Sequence, residues 1–132
     1  MNEAAVTPGV PGRLQFLYRL SHGVAVVDVR GEVDISTCVL LRERLLLALT
    51  DRDRRSMVVN IADVSFIDSA GIGVLVEVWH RAQAGPGILA LAAPSPQARA
   101  VFDTTGLGKI FSIYDTEAEA VQACCQGADG QR

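Results

Sequence analysis

From Leu14 onward the chain moves between two rhythms of hydrophobic and polar residues. Leu14, Phe16, Tyr18 and Leu20 fall at every second position, with Gln15, Leu17 and Arg19 between them, which predicts a strand. The break Ser21-His22-Gly23 suits a tight hairpin, and the valine-rich run 24–29 predicts the strand that returns from it. The period then lengthens: Cys38, Leu41, Leu45 and Leu49 recur at helical spacing behind Ser36 and Thr37, either of which can cap a helix. Residues 57–61 are apolar except for Asn60, the pattern of a strand buried on both faces. Helical spacing returns after Ser69 with Ile72, Leu75, Val76 and Trp79, and Gly85-Pro86-Gly87 stops it. Residues 88–92 then read as a strand, Ser95-Pro96 opens a short helix reaching Phe102, 110–114 reads as a further strand and 116–123 as a last helix. Two strands followed by alternating helices and strands predict an α/β fold. Its sheet is mixed and mainly parallel, with about five strands flanked by about four helices.

A length of 132 residues suits one domain. Pro8, Gly9, Pro11 and Gly12 mark 1–12 as a flexible N-terminal arm, 126–132 reads as a flexible C-terminal tail, and 13–125 is the expected ordered domain. Apolar residues make up 49% and charged residues 20%, ordinary globular usage. A net charge of −3 provides no positive field, so the chain is expected to bind no nucleic acid directly. Arg52, Arg54 and Arg55 lie beside Asp51 and Asp53 and read as a solvated loop. Three cysteines, Cys38, Cys124 and Cys125, cannot all pair, and no secretory apolar region precedes the domain, which points to a reducing cytoplasm. The longest apolar runs span five or six residues, too short for a membrane segment.

The segment 64–75 is the most informative for chemistry. Ser69 falls where the second helix begins, with Gly71 and Gly73 leaving its first turn nearly bare. Ser69 could simply cap the helix, worth about 1 kcal/mol. Glycine inside a helix costs about 1 kcal/mol against alanine, however, so two in one turn suggest that another backbone or another protein approaches there. On a helical wheel Val74 lies opposite the Ile72–Leu75–Val76–Trp79 face and Val78 lies to one side. With Ala70 they are expected to form an exposed partner-contact stripe beside Ser69, the alternative being scattered surface valines.

Other groupings carry less. Asp34 and Asp68 could converge near strand ends as the acid/base pair of a small hydrolase, or serve as a loop acceptor and a helix-start carboxylate. His22 and His80 show no ligand spacing, so no metal site, cofactor or catalytic residue is expected. Gly106-Leu107-Gly108-Lys109 falls short of a phosphate loop, because position 103 is Asp, position 110 is Ile and a helix precedes it. Cys124 and Cys125 read as small residues ending the last helix.

Three spaced motifs carry a resemblance: Gly31-Glu32-Val33-Asp34, then Asp68-Ser69-Ala70-Gly71-Ile72-Gly73, then Ser95-Pro96 through Phe102-Asp103-Thr104-Thr105-Gly106-Leu107. Over nearly the whole domain the chain resembles the STAS family, specifically the bacterial anti-sigma factor antagonists. The resemblance implies a STAS-like fold and a non-enzymatic, partner-switching phosphoprotein. In such a cycle the unphosphorylated form binds an anti-sigma factor that is also a serine kinase, which releases the sigma factor. Phosphorylation of Ser69 ends the binding, and a serine-phosphate phosphatase resets it. Asp68 would flank the acceptor and Asp34 would help engage the kinase from the neighbouring loop. Ala70 stands where many relatives carry a second serine, which leaves Ser69 as the acceptor. The family also includes non-switching subunits of transporters and stress-sensing assemblies. Leu40 and Leu47, expected to be exposed on the first helix, fit a monomer or weak dimer.

Overall fold

The structure, a computed structural model, describes residues 5–7, 14–50, 56–85 and 87–130. Its framework starts from a hairpin. β2 (Leu14–Ser21) and β3 (Val24–Val33) pair antiparallel across His22 and Gly23, both at positive φ, the backbone that a two-residue hairpin turn demands. β1 (Ala5–Thr7) pairs antiparallel with β2 on the outer side. β3 then leads into α1 (Cys38–Leu49), β4 (Met57–Ile67), α2 (Ser69–Ala84), β5 (Leu89–Ala92), α3 (Pro96–Thr105), β6 (Ser112–Tyr114) and α4 (Glu117–Gly130). The strands lie in the order β1-β2-β3-β4-β5-β6, and β3 through β6 run parallel to one another. The sheet is mixed and mainly parallel, as expected.

The two faces are covered unequally. α1, α2 and α3 pack on one face over a core that includes Phe16, Val27, Val59, Leu41, Leu75 and Phe102. α4 covers the other face, where Val26, Val58 and Ala90 meet Ala120, Val121 and Cys124. Asn60, the lone polar residue of the 57–61 run, donates to Glu117 Oε1 at 3.0 Å. Arg19 reaches the same carboxylate and pairs with Asp28 at 2.9 Å. This polar cluster pins the start of α4 to three strands, so Asn60 is a cross-sheet tie rather than an interruption.

Three expectations change. The proposed N-terminal arm contains β1, whose three residues hydrogen-bond to the sheet edge; residues 1–4 and 8–12 lie outside the described residues. The proposed tail from 126 is helical through Gly130, because α4 continues past Cys125; Gln131 and Arg132 lie outside the described residues. β4 runs on to Ile67, six residues beyond 61, alongside a β3 whose register shifts at Gly31, held at φ 120°. The charged cluster 51–55 also lies outside the described residues.

Candidate partner-binding site

The extension of β3 and β4 builds the site. β5 stops pairing at Ala92 opposite Asn60, so β4 passes Asn60 without a β5 partner and ends at Ile67. Gln97 of α3 fills the vacancy: its Oε1 accepts from the Ile67 N–H at 2.9 Å and its Nε2 donates to the Ile67 carbonyl at 3.1 Å. From the β3 side, the Asp68 N–H donates to the Val33 carbonyl at 3.1 Å. The turn into α2 is therefore held from both sides.

Asp68, rather than Ser69, caps α2. Its extended backbone lets Oδ1 accept from the N–H of Ala70 at 3.0 Å and of Gly71 at 3.2 Å, satisfying two helix-start donors. Ser69 is thereby the first helical residue, exposed, and among the described residues no group holds its hydroxyl. A cap that leaves the serine unengaged presents its hydroxyl at a helix N-terminus, where the backbone favours an added negative charge.

Asp34 occupies a turn of its own. Its Oδ1 accepts from the Ser36 N–H at 2.9 Å, the Ser36 hydroxyl at 2.6 Å and the Thr37 N–H at 3.2 Å. Thr37 is buried, accepts from the Asp34 N–H at 3.0 Å and donates to the Glu32 carbonyl at 2.9 Å. Thr37, one of the two expected caps, stands at the N-cap position of α1 but makes no side-chain cap bond, and the Asp34 carboxylate organises that entry instead. Asp34 and Asp68 each serve as acceptors in separate turns, the alternative to an acid/base pair. Among the described residues no group of three or more His, Cys, Asp or Glu side chains is placed to hold a metal ion.

The expected contact stripe is corrected. Val74 is only 7% exposed and Val78 0%, and both belong to the core with Gly71, Leu75 and Ala82. Gly71 itself faces the sheet end: a Cβ there would overlap the Val33 side chain and stand 2.8 Å from Ile67 Cγ1. Gly71, Leu75, Val78 and Ala82 therefore form the inward row. Because glycine adds no hydrophobic signal, Val76 and Trp79, both half-buried, pull the apparent axis of the wheel away from it.

The outward row is Ser69, Gly73 and Glu77, one turn apart; a Cβ on Gly73 would meet nothing within 4 Å. Ala70 is half-buried beside it. Across from α2, Ile35 is 76% exposed in the turn before α1 and Val39 62% exposed on it. Arg42 Nε lies 2.9 Å from both Glu77 carboxylate oxygens and ties the helices together, and the guanidinium holds the Glu77 carboxyl below the usual glutamate range. The sequence reading missed Ile35 and Val39, although Val39 sits out of phase with the Leu41–Leu45–Leu49 row that packs inward. Leu47 is exposed as expected, whereas Leu40 is half-buried against the core.

Gly106-Leu107-Gly108-Lys109 forms the end of α3 and a short 3-10 turn, Leu107–Lys109, beside a cavity of about 300 Å³ that Arg99 and Asp103 also line. Arg99 is paired with Asp115 at 2.6 Å. Cys124 is buried in α4, where burial pushes its thiol up to about 11. Among the described residues no helix is long and apolar enough to cross a membrane.

A mixed sheet with three helices on one face and one on the other, and an exposed serine at the start of a helix, defines the class of small α/β domain to which the chain belongs. The family model for the STAS domain matches residues 15–120, and the chain belongs to the STAS family. It is 35% identical over 97 residues to the anti-sigma-B factor antagonist of Bacillus subtilis (strain 168), covering 73% of this chain and 86% of that protein. The crystal structure of an anti-sigma factor antagonist from Mycobacterium paratuberculosis matches with a TM-score of 0.76 and 27% identity, over 89% of this chain and 98% of that one. The Bacillus cell fate determinant SpoIIAA in its phosphorylated form matches with a TM-score of 0.62 and 28% identity, over 81% and 96% of the two chains.

Proposed function

We propose that this protein is an anti-sigma factor antagonist that performs no chemistry of its own. In its unmodified form it binds an anti-sigma factor that is also a serine kinase, and phosphorylation of Ser69 releases it until a phosphatase restores the hydroxyl. The observation that carries this reading is the division of labour at the start of α2: Asp68 makes the cap, so the exposed Ser69 hydroxyl has no structural duty. The relatives named as antagonists, and the phosphorylated form of SpoIIAA, support it.

The contact face runs over Ile35, Val39, Ser69 and Gly73, with Ala70 and Asp68 at its edge. Asp34 contributes by ordering the turn that presents Ile35. Release follows from local electrostatics. A phosphoserine carries roughly −1.5 to −2 charges at pH 7, and the helix start favours it by about 0.3–1 kcal/mol, so the free protein accommodates it. Burying that charge in an apolar interface costs several kcal/mol, whereas a 100-fold loss of affinity needs only about 2.7 kcal/mol. No second fold is required.

Incubation with purified anti-sigma factor kinases of the source organism and ATP tests the reading. Wild type is expected to gain one phosphate on Ser69, and Ser69→Ala to gain none while still binding the kinase. Phosphate at another residue, or equal labelling of Ser69→Ala, refutes the assignment.

A further inference from the structure

Among the described residues, the Gln97 side chain is the one polar group that reaches from a distant helix to the backbone directly before the acceptor turn. It grips the N–H and the carbonyl of Ile67 at once, 2.9 and 3.1 Å away, across 30 residues of sequence. Its own position is fixed. Ser95 caps α3 by accepting from the Ala98 N–H at 3.3 Å, and Pro96 occupies the first turn. Ala98 and Phe102 anchor the inner face, with Phe102 edge-on to Phe111 at 5.8 Å between ring centroids. β5 has ended by this point, so removing the amide leaves the last residue of β4 without a partner on that side.

We propose that Gln97 is a positioning residue for phosphoryl transfer to Ser69, acting through the Ile67 backbone and not through the kinase contact face. The inference rests on Ser69 being the phosphoacceptor. The physical argument is one of aim. Transfer requires the Ser69 oxygen in line with the departing phosphoryl group, and displacements of about 1 Å in such geometry cost up to about 100-fold in rate. Asp68 is held on its β3 side by the Val33 carbonyl, and Gln97 supplies the opposing hold one residue earlier. With one hold gone, the turn pivots about the other. Docking through Ile35, Val39 and Gly73 is left intact, because the hydrogen bonds of Gln97 go to the Ile67 backbone and not to those residues.

The test uses the full chain, with Gln97→Met removing both bonds at nearly constant volume and Gln97→Glu keeping an acceptor for the Ile67 N–H while placing a carboxylate against the Ile67 carbonyl. Ala100→Gly, at an exposed position of the same helix, loosens α3 without touching the clamp. For the kinase that phosphorylates wild type, Gln97→Met is expected to lower kcat about five-fold or more with KM within about two-fold, and to speed amide exchange at Ile67 about ten-fold. Gln97→Glu should fall between it and wild type, and Ala100→Gly should keep the wild-type kcat. Unchanged kcat for Gln97→Met, or an equal fall for Ala100→Gly, overturns the positioning role while leaving the acceptor assignment standing. A wild-type chain that gains no phosphate on Ser69 overturns the acceptor assignment, and this inference with it.

Discussion

Gly71 and Gly73 stand two residues apart near the start of α2 and do opposite work. Gly71 faces Val33 and Ile67 so closely that a methyl group has no room, and it lets the helix start settle on the sheet end. Gly73 faces open space and keeps the surface next to Ser69 flat. The first is a packing glycine, and its conformational cost is recovered in the core. The second recovers nothing within the free protein, and its cost of about 1 kcal/mol relative to alanine fits the proposed partner contact. The same division extends along the helix: Leu75, Val78 and Ala82 continue the row of Gly71, and Glu77 continues the row of Gly73.

The largest effect is expected at Val78, on the inward row. Val78→Asp puts an unpaired charge into a fully buried position and should remove at least about 3 kcal/mol of stability, enough to unfold much of the protein in circular dichroism melts. Retention of the wild-type Tm would mean that the inward face is misassigned. Gly71→Ala is expected to cost about 1–2 kcal/mol, overlap with Val33 outweighing the helix-propensity gain, as read by urea denaturation. Gly73→Ala should do the reverse, adding about 0.5–1 kcal/mol to stability while weakening kinase binding in calorimetry. A Gly73→Ala protein that binds like wild type would make Gly73 an incidental residue.

The smallest effect lies on the far face. The Arg19 guanidinium hydrogen-bonds Glu117 and holds its carboxyl below the usual glutamate range, with Asn60 adding to the shift. A depressed pKa adds stability above the unfolded value, and that stability is lost as pH falls through the lower folded value. Because Glu117 is partly solvated, the loss should be under about 1 kcal/mol, confined to the acid side of the ordinary glutamate pKa. Glu117→Gln should flatten that acid limb in pH-dependent denaturation and leave kinase affinity unchanged.

Most of the fold was legible because period and punctuation agree along this chain. The 57–61 run, Ser95-Pro96 and the hairpin at His22-Gly23 each say locally what the sheet requires globally. The strand at 5–7 was hidden among prolines and glycines, whose turn signals outweigh a three-residue pairing. The exposed position of Ser69 at the start of α2 was legible from the residues around it. The face around it was not, since a wheel built from apolar side chains weighs Val76 and Trp79 and is blind to Gly71, whose contribution is the absence of a side chain. Gln97 was invisible for a related reason: an amide that bonds a backbone 30 residues away leaves no period or spacing in the sequence.

In the proposed cycle, one phosphate on the outward row of α2 ends partner binding without remaking the fold. Titration calorimetry of the same kinase against the unmodified and the Ser69-phosphorylated chain tests it directly. The phosphorylated form is expected to bind at least about 100-fold more weakly, about 2.7 kcal/mol. Affinities equal within two-fold would contradict it.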